Sequence, residues 1–208
     1  MRSNEPKKSR LGIFCMILGG LLVLGAAVLY GYNCWEDQSA AQATGEVLPI
    51  LRQEVEKKQE DLSGEISIPD PYNPEMTVVT IEGQDYVGML AVPALDLELP
   101  VLSQWSQDKL RYSPCRYSGS TKTNDLVIAA HNYSSHFGRL NKLQQGDSVI
   151  FTDMDGVTIF YQVASVEVLP ANAVEEMTAG EYDLSLFTCT YDGQQRFTVR
   201  CALRTQEE

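Results

Sequence analysis

Residues 11–31 read LGIFCMILGGLLVLGAAVLYG, twenty-one consecutive positions without a charge. As an α-helix this run rises about 31 Å, enough to cross the hydrocarbon core of a bilayer. Arg2, Lys7, Lys8 and Arg10 precede it against a lone Glu5, and Glu36 and Asp37 follow. That bias puts residues 1–10 in the cytoplasm and everything after residue 31 outside the cell. A cleaved signal peptide would have a shorter apolar region, and Tyr30-Gly31-Tyr32-Asn33-Cys34 is a poor cleavage site, so an uncleaved single-pass anchor is expected. The rest divides into a stalk and linker over 32–75 and one globular domain over 76–208.

Beyond the anchor the chain carries 12 basic and 27 acidic side chains, a formal charge of −15. Such a domain is not expected to bind nucleic acid. Residues 38–61 are rich in Ala, Glu, Lys and Gln, with Val47, Ile50, Leu51 and Val55 at helical spacing, which predicts an amphipathic stalk helix with Pro49 at a first turn or a kink. Residues 63–74 are dense in Pro, Ser, Gly and Asp and read as an extended linker.

From Met76 onward the texture is β. Short apolar runs at 77–81, 86–92, 126–130, 148–152, 157–169, 184–188 and 196–203 alternate with turn signals, and seven or eight such strands predict a closed barrel with short helices. Residues 135–145 are the one helical candidate within it. The stretch Asp153-Met154-Asp155-Gly156 resembles the start of a calcium loop, but Ala164 stands where the bidentate glutamate belongs, so a hairpin turn is expected.

Of five cysteines, Cys15 lies in the apolar run and Cys34 just past it, leaving Cys115, Cys189 and Cys201 in the domain. Either one thiol is reactive and Cys115 bridges Cys201, or all three are unpaired. Cys201 alternates in phase with Phe197 and Val199, as an inert core thiol would. Cys189 instead ends a strand and is followed at once by polar Thr190-Tyr191-Asp192-Gly193, so it meets solvent. Arg196 opens the next strand after a short loop, which returns it close to Cys189, whereas Arg200 would lie about 13 Å further along. There are two histidines. His131 ends the apolar run 126–130, whereas His136 lies in a polar stretch and is expected to be solvated. A thiol, an imidazole and a guanidinium at strand ends suit acyl transfer, which needs a nucleophile, a proton donor for the leaving amine and a cation for the oxyanion.

Ser185-Leu186-Phe187-Thr188-Cys189 with Arg196 on the following strand resembles the signature of the sortases, the cysteine transpeptidases of Gram-positive surfaces. The likeness extends over residues 86–92, Leu99-Pro100-Val101 and the stretch from Phe137 to Asp147, and so from about residue 86 to the end. It implies an all-β, eight-stranded sortase-type barrel as the catalytic domain. It also implies that Cys189 cleaves a Leu-Pro-x-Thr-Gly-like sorting signal before its glycine through a thioester. His131 would move protons to and from the amines, Arg196 would hold the carbonyl or its oxyanion, and Thr188 and Asn132 would contact substrate. The implied partners are surface proteins bearing a sorting signal and an amine acceptor, such as a peptidoglycan precursor or a pilin lysine. No metal or organic cofactor is required for that chemistry. Residues 168–184 are too few for the long helical insertion of class B members, and Asp70-Pro71-Tyr72 resembles the lid of class C members, although a linker turn accounts for it equally well. Two other readings share these residues: a thiol peptidase that uses water as acceptor, and a noncatalytic membrane-tethered β-domain that binds wall components with Cys189 buried. The Ser-His-Gly-Cys type motif of L,D-transpeptidases is absent.

Overall fold

A computed structural model describes residues 10–62 and 74–204. One α-helix, α1 (Arg10–Leu62), carries the apolar run and continues through Pro49. The chain forms two compact units, Met1–Gln38 and Ser39–Glu208. In the first, α1 is long and apolar enough to cross a membrane, and Phe14, Leu22 and Leu29 all lie exposed, as lipid-facing side chains do. Asp70-Pro71-Tyr72 and most of the linker lie outside the described residues.

In the second unit nine strands follow: β1 (Val79–Ile81), β2 (Gln84–Val92), β3 (Leu97–Leu102), β4 (Cys115–Ser118), β5 (Leu126–Ala129), β6 (Ser148–Asp153), β7 (Thr158–Pro170), β8 (Leu184–Cys189) and β9 (Gln195–Leu203). Their pairing runs β2-β3-β4-β5-β8-β9-β7-β6 and returns from β6 to β2, so eight strands close a barrel while β1 pairs with β2 alone. Closure is what an all-β chain gains by leaving few strand edges bare.

Two strands, β3 and β4, escape the apolar-run reading, because β4 is short and β3 contains Pro100, which lacks an N–H. Pro100 is tolerated for a local reason. Its carbonyl accepts from Ser113 Oγ at 2.6 Å on the side that faces β4, where the two strands share the single bridge Leu102 to Cys115. A residue's N and C=O in a strand point to the same edge, so no ladder bond is lost there.

Alternation along the strands builds two cores. Leu99, Val101, Leu126, Ile128, Phe151, Tyr161, Leu184, Leu186 and Val199 fill the barrel, joined by Phe137 and Leu140 from the loop after β5. Outside it, Val47, Leu48, Leu51 and Val55 of α1 pack over Tyr86, Met89, Leu102, Leu110, Cys115 and Ala129. Leu48 takes part where the spacing had suggested Ile50, which is exposed. At the helix end, Gln59 Nε2 donates to the Gly156 carbonyl at 2.8 Å, and Arg52 pairs with Glu98. The hairpin between β6 and β7 is capped as expected, with Asp153 Oδ1 accepting from the amides of Asp155 and Val157.

Closure depends on Gly88, which follows an irregularity in β2 and pairs with both Val101 and Asp153. A methyl group there would sit 2.5 Å from the Phe151 ring and 2.5 Å from the Thr152 carbonyl. Gly88→Ala is therefore expected to force β6 away from β2 and to lower the unfolding free energy by about 1–3 kcal/mol in a thermal or urea melt. An unchanged midpoint would mean that the seam yields without cost.

Candidate active site

β8 carries the site because of its neighbours. Leu184, Leu186 and Thr188 alternate onto the core face, and Ser185, Phe187 and Cys189 onto the outer face. On one side β9 runs antiparallel and sets Cys189 opposite Arg196, with Ser185 opposite Arg200. Directly opposed Cα atoms in such a ladder lie about 4.5–5.5 Å apart, with side chains on the same face. On the other side β5 runs parallel, with Ala129 level with Phe187. The Ala130 amide continues that ladder by donating to the Phe187 carbonyl at 3.1 Å. Two residues past Ala129 comes His131, level with Cys189 and on the same face. Accordingly Cys189, His131 and Arg196 all line one groove of about 250 Å³.

The His131 segment is a tight loop. The Phe137 amide donates to the His131 carbonyl at 3.2 Å, and the Tyr133 carbonyl accepts from His136 and Gly138 at 3.0 and 2.8 Å. Gly138 allows this, since a methyl group there would lie 2.4 Å from the Asn132 carbonyl. Tyr133 lies between two imidazoles, 4.8 Å from the His131 ring and 5.6 Å from that of His136. The expectation of a solvated His136 is corrected: it is fully buried, because Phe137 and Leu140 enter the barrel core and draw the loop inward.

Residues 90–204, more than half the chain, match the family model described as a Sortase domain. The chain belongs to the sortase family. Sortase A of Bacillus anthracis is 23% identical over 202 residues, covering 92% of this chain and 91% of that one. Among solved structures, the Sortase D5 transpeptidase of Clostridium perfringens superposes with a TM-score of 0.59 at 16% identity, over 79% of this chain and 99% of that one. Sortase C of Streptococcus pneumoniae gives a TM-score of 0.56 at 20% identity, over 79% and 97%. Family membership implies cysteine transpeptidase function in general, and the apolar helix fits a single-pass membrane anchor.

The two arginines of this sortase's β9 face the same way but do different things. Arg196 is half-buried, and its Nη1 donates to the Gly193 and Gln195 carbonyls at 3.2 and 3.0 Å. Asp192 stiffens that loop by accepting from Thr190 Oγ1 and the Gln194 amide, bonds that hold its carboxyl below the usual range. Arg200 is 5% exposed and fully engaged. It donates to Glu167 Oε1 at 2.6 Å, Ser185 Oγ at 2.9 Å and the Glu176 and Met177 carbonyls at 2.7 and 3.2 Å, and lies over the Tyr182 ring. Glu176 and Met177 end the one-turn helix α2 (Val174–Met177), which with Pro170, Ala171 and Ala173 forms the far wall of the groove. Arg200 thus caps α2 from beneath, a role hidden in the sequence because its partners lie 15 to 33 residues away.

Thr188 and Asn132 are brought together at a second hollow of about 120 Å³ on the other side of Cys189, which also opens onto it. Thr188 is 5% exposed, and its hydroxyl makes no hydrogen bond among the described residues. Cys115 and Cys201 are buried, free and in different cores, so the bridge considered from sequence does not form.

Burial pushes both of those thiols up to about 12. Raised values favour the fold below the ordinary 9.0, an advantage lost as pH climbs from there toward 12. Iodoacetamide at pH 8 is expected to alkylate half-buried Cys189 in the folded barrel, and Cys115 and Cys201 only after denaturation, as read by peptide mass mapping. Equal native rates at Cys189 and Cys201 would contradict the strand assignment. Arg200→Met leaves the α2 carbonyls and Glu167 without their donor. It should cost about 1–3 kcal/mol and open residues 171–183 to limited proteolysis; a protease-resistant wall would show that α2 holds itself.

Proposed function

We propose that this chain is a membrane-anchored transpeptidase in which Cys189 is the nucleophile, His131 the proton carrier and Arg196 the oxyanion ligand. The observation that carries the reading is the common outer face of β5, β8 and β9, on which these three side chains line a single groove. The Cys189 thiolate attacks the carbonyl that precedes the glycine of a Leu-Pro-x-Thr-Gly-like sorting signal. A C–S bond forms, and Arg196 stabilises the oxyanion with guanidinium N–H groups beyond the Nη1 that holds its own loop. As the C–N bond breaks, His131 as imidazolium gives its proton to the departing amine, leaving a thioester to the upstream protein. An incoming amine then attacks the thioester, His131 as neutral imidazole takes the amine's proton, and the C–S bond breaks to free Cys189. Thr188 and Asn132 face the side of the sulfur opposite the main groove, where they contact substrate.

The acceptor amine belongs to the cell wall or to another surface protein, a peptidoglycan precursor or a pilin lysine. Residues 1–10 lie in the cytoplasm, residues 11–31 span the membrane, and residues 76–208 form the catalytic domain outside, after the stalk and linker of residues 32–75. The charge distribution around the apolar run supports this orientation.

The test is mass spectrometry of the full-length protein in detergent, mixed with a Leu-Pro-x-Thr-Gly peptide and an oligoglycine amine. Wild type is expected to give amine-ligated product. Cys189→Ala should abolish it, and Arg196→Ala and His131→Ala should each lower it about a hundredfold or more. Hydrolysed peptide without ligation would favour a thiol peptidase, and an inert Cys189 a noncatalytic domain.

A further inference from the structure

The groove does not end at the reactive residues. From Cys189 its floor passes to Phe187, two residues back on the same face of β8, then to Tyr117 of β4 and to Trp105 in the loop after β3. The Phe187 and Tyr117 rings meet edge to face at 5.2 Å, and Tyr117 and Trp105 at 5.7 Å. Trp105 ends this row 43% exposed, although its surroundings are fixed. The Ser103 carbonyl accepts from Arg116 Nε at 3.1 Å, and Ser106 Oγ from the Lys109 amide at 3.1 Å. A half-bare indole therefore stands at the end of the groove, with apolar surface left to be covered.

We infer that Trp105 is a specificity-determining subsite, which takes an apolar or aromatic side chain of the substrate one or two residues ahead of the sorting signal. The inference rests on the sorting-signal reading above and adds a contact to it. Followed along the row, two strand residues of about 3.3 Å each and ring-to-ring steps of 5.2 and 5.7 Å lead from Cys189 to Trp105 over about 17.5 Å. An extended peptide that follows this row advances about 3.3 Å per residue, so the four residues on the acyl side of the cleaved bond cover about 13 Å of it and the next one or two come level with the indole. The larger hollow beside Cys189 is the one that has length for this upstream chain, since the other holds only about 120 Å³. Chemistry also selects the occupant. Among the described residues no acidic side chain lines the groove, on a domain that is otherwise strongly acidic. Beyond the Trp105 ridge, Glu75 is paired with Arg116, and Asp125 Oδ1 accepts from the Ser120 amide and Thr123 Oγ1. Within the groove itself a cation would meet Arg196 and no carboxylate among the described residues, whereas an apolar side chain would find an open indole.

The experiment uses the full-length protein in detergent and a peptide set in which two positions ahead of Leu-Pro-x-Thr-Gly carry Gly, Leu, Phe, Lys or Glu, with the five-residue peptide alone as reference. Wild type should prefer Phe or Leu to Gly by about three- to tenfold in kcat/KM, carried mainly by KM. Trp105→Ala should level that preference and Trp105→Phe restore most of it, while all three proteins cleave the five-residue peptide alike. A flat wild-type profile, a preference for Lys, or an equal loss on the five-residue peptide in Trp105→Ala would overturn the subsite and leave the sorting-signal reading standing. Cleavage of no peptide by wild type would sink both.

Discussion

β8 is hydrogen-bonded along both edges, parallel to β5 and antiparallel to β9, and the places of Cys189, His131 and Arg196 in the groove follow from that double pairing. Side chains on a strand alternate, so a slip of one residue would send Cys189 into the barrel and Thr188 into the groove. Leu184 and Leu186 hold the register, since each is fully buried and worth roughly 1.5–3 kcal/mol in its place. The same alternation that fills the core therefore aims the thiol outward. His131 and Arg196 need no contact with one another to be brought to it, because Arg196 lies on β9 and His131 follows β5 by two residues, and β8 positions both strands.

The second determinant is the pair of arginines on β9. A guanidinium removed from water is costly unless its donors are met. Arg200 meets that condition with a carboxylate, a hydroxyl and two carbonyls, and in doing so ties the groove's far wall to the strand that carries Cys189. Ser185 has a defined part in this, since its hydroxyl accepts from the buried guanidinium at the start of the signature. Arg196, four residues earlier on the same face of β9 but at the barrel rim, keeps donors available. Two identical groups are thus divided between a buried, engaged position and an open one by about 13 Å of strand.

Much of this was legible in the chain. The apolar runs locate seven of the nine strands, and strand-end positions single out Cys189, His131 and Arg196, because those signals are local and repeat with a period of two. What escaped has long-range causes. β3 hides behind Pro100, whose acceptability depends on Ser113 and on a nearly unpaired edge. His136 looks solvated by its neighbours in sequence and is buried by Phe137 and Leu140. On α1 helical spacing puts Ile50 with Val47, Leu51 and Val55, whereas the barrel surface takes Leu48 and leaves Ile50 exposed. Arg200 gives no local sign of its network at all.

Closure of the sheet also limits how a peptide can be recognised. At Cys189, β5, β8 and β9 each have partners on both sides, so these three strands offer no bare edge. A guest chain cannot join them by β-augmentation, in which main-chain hydrogen bonds supply affinity with little regard to sequence. It must be held through its side chains and through the one carbonyl presented to the sulfur. Discrimination among guests is then set by residue identity, and a reactive strand paired along both edges is selective by construction.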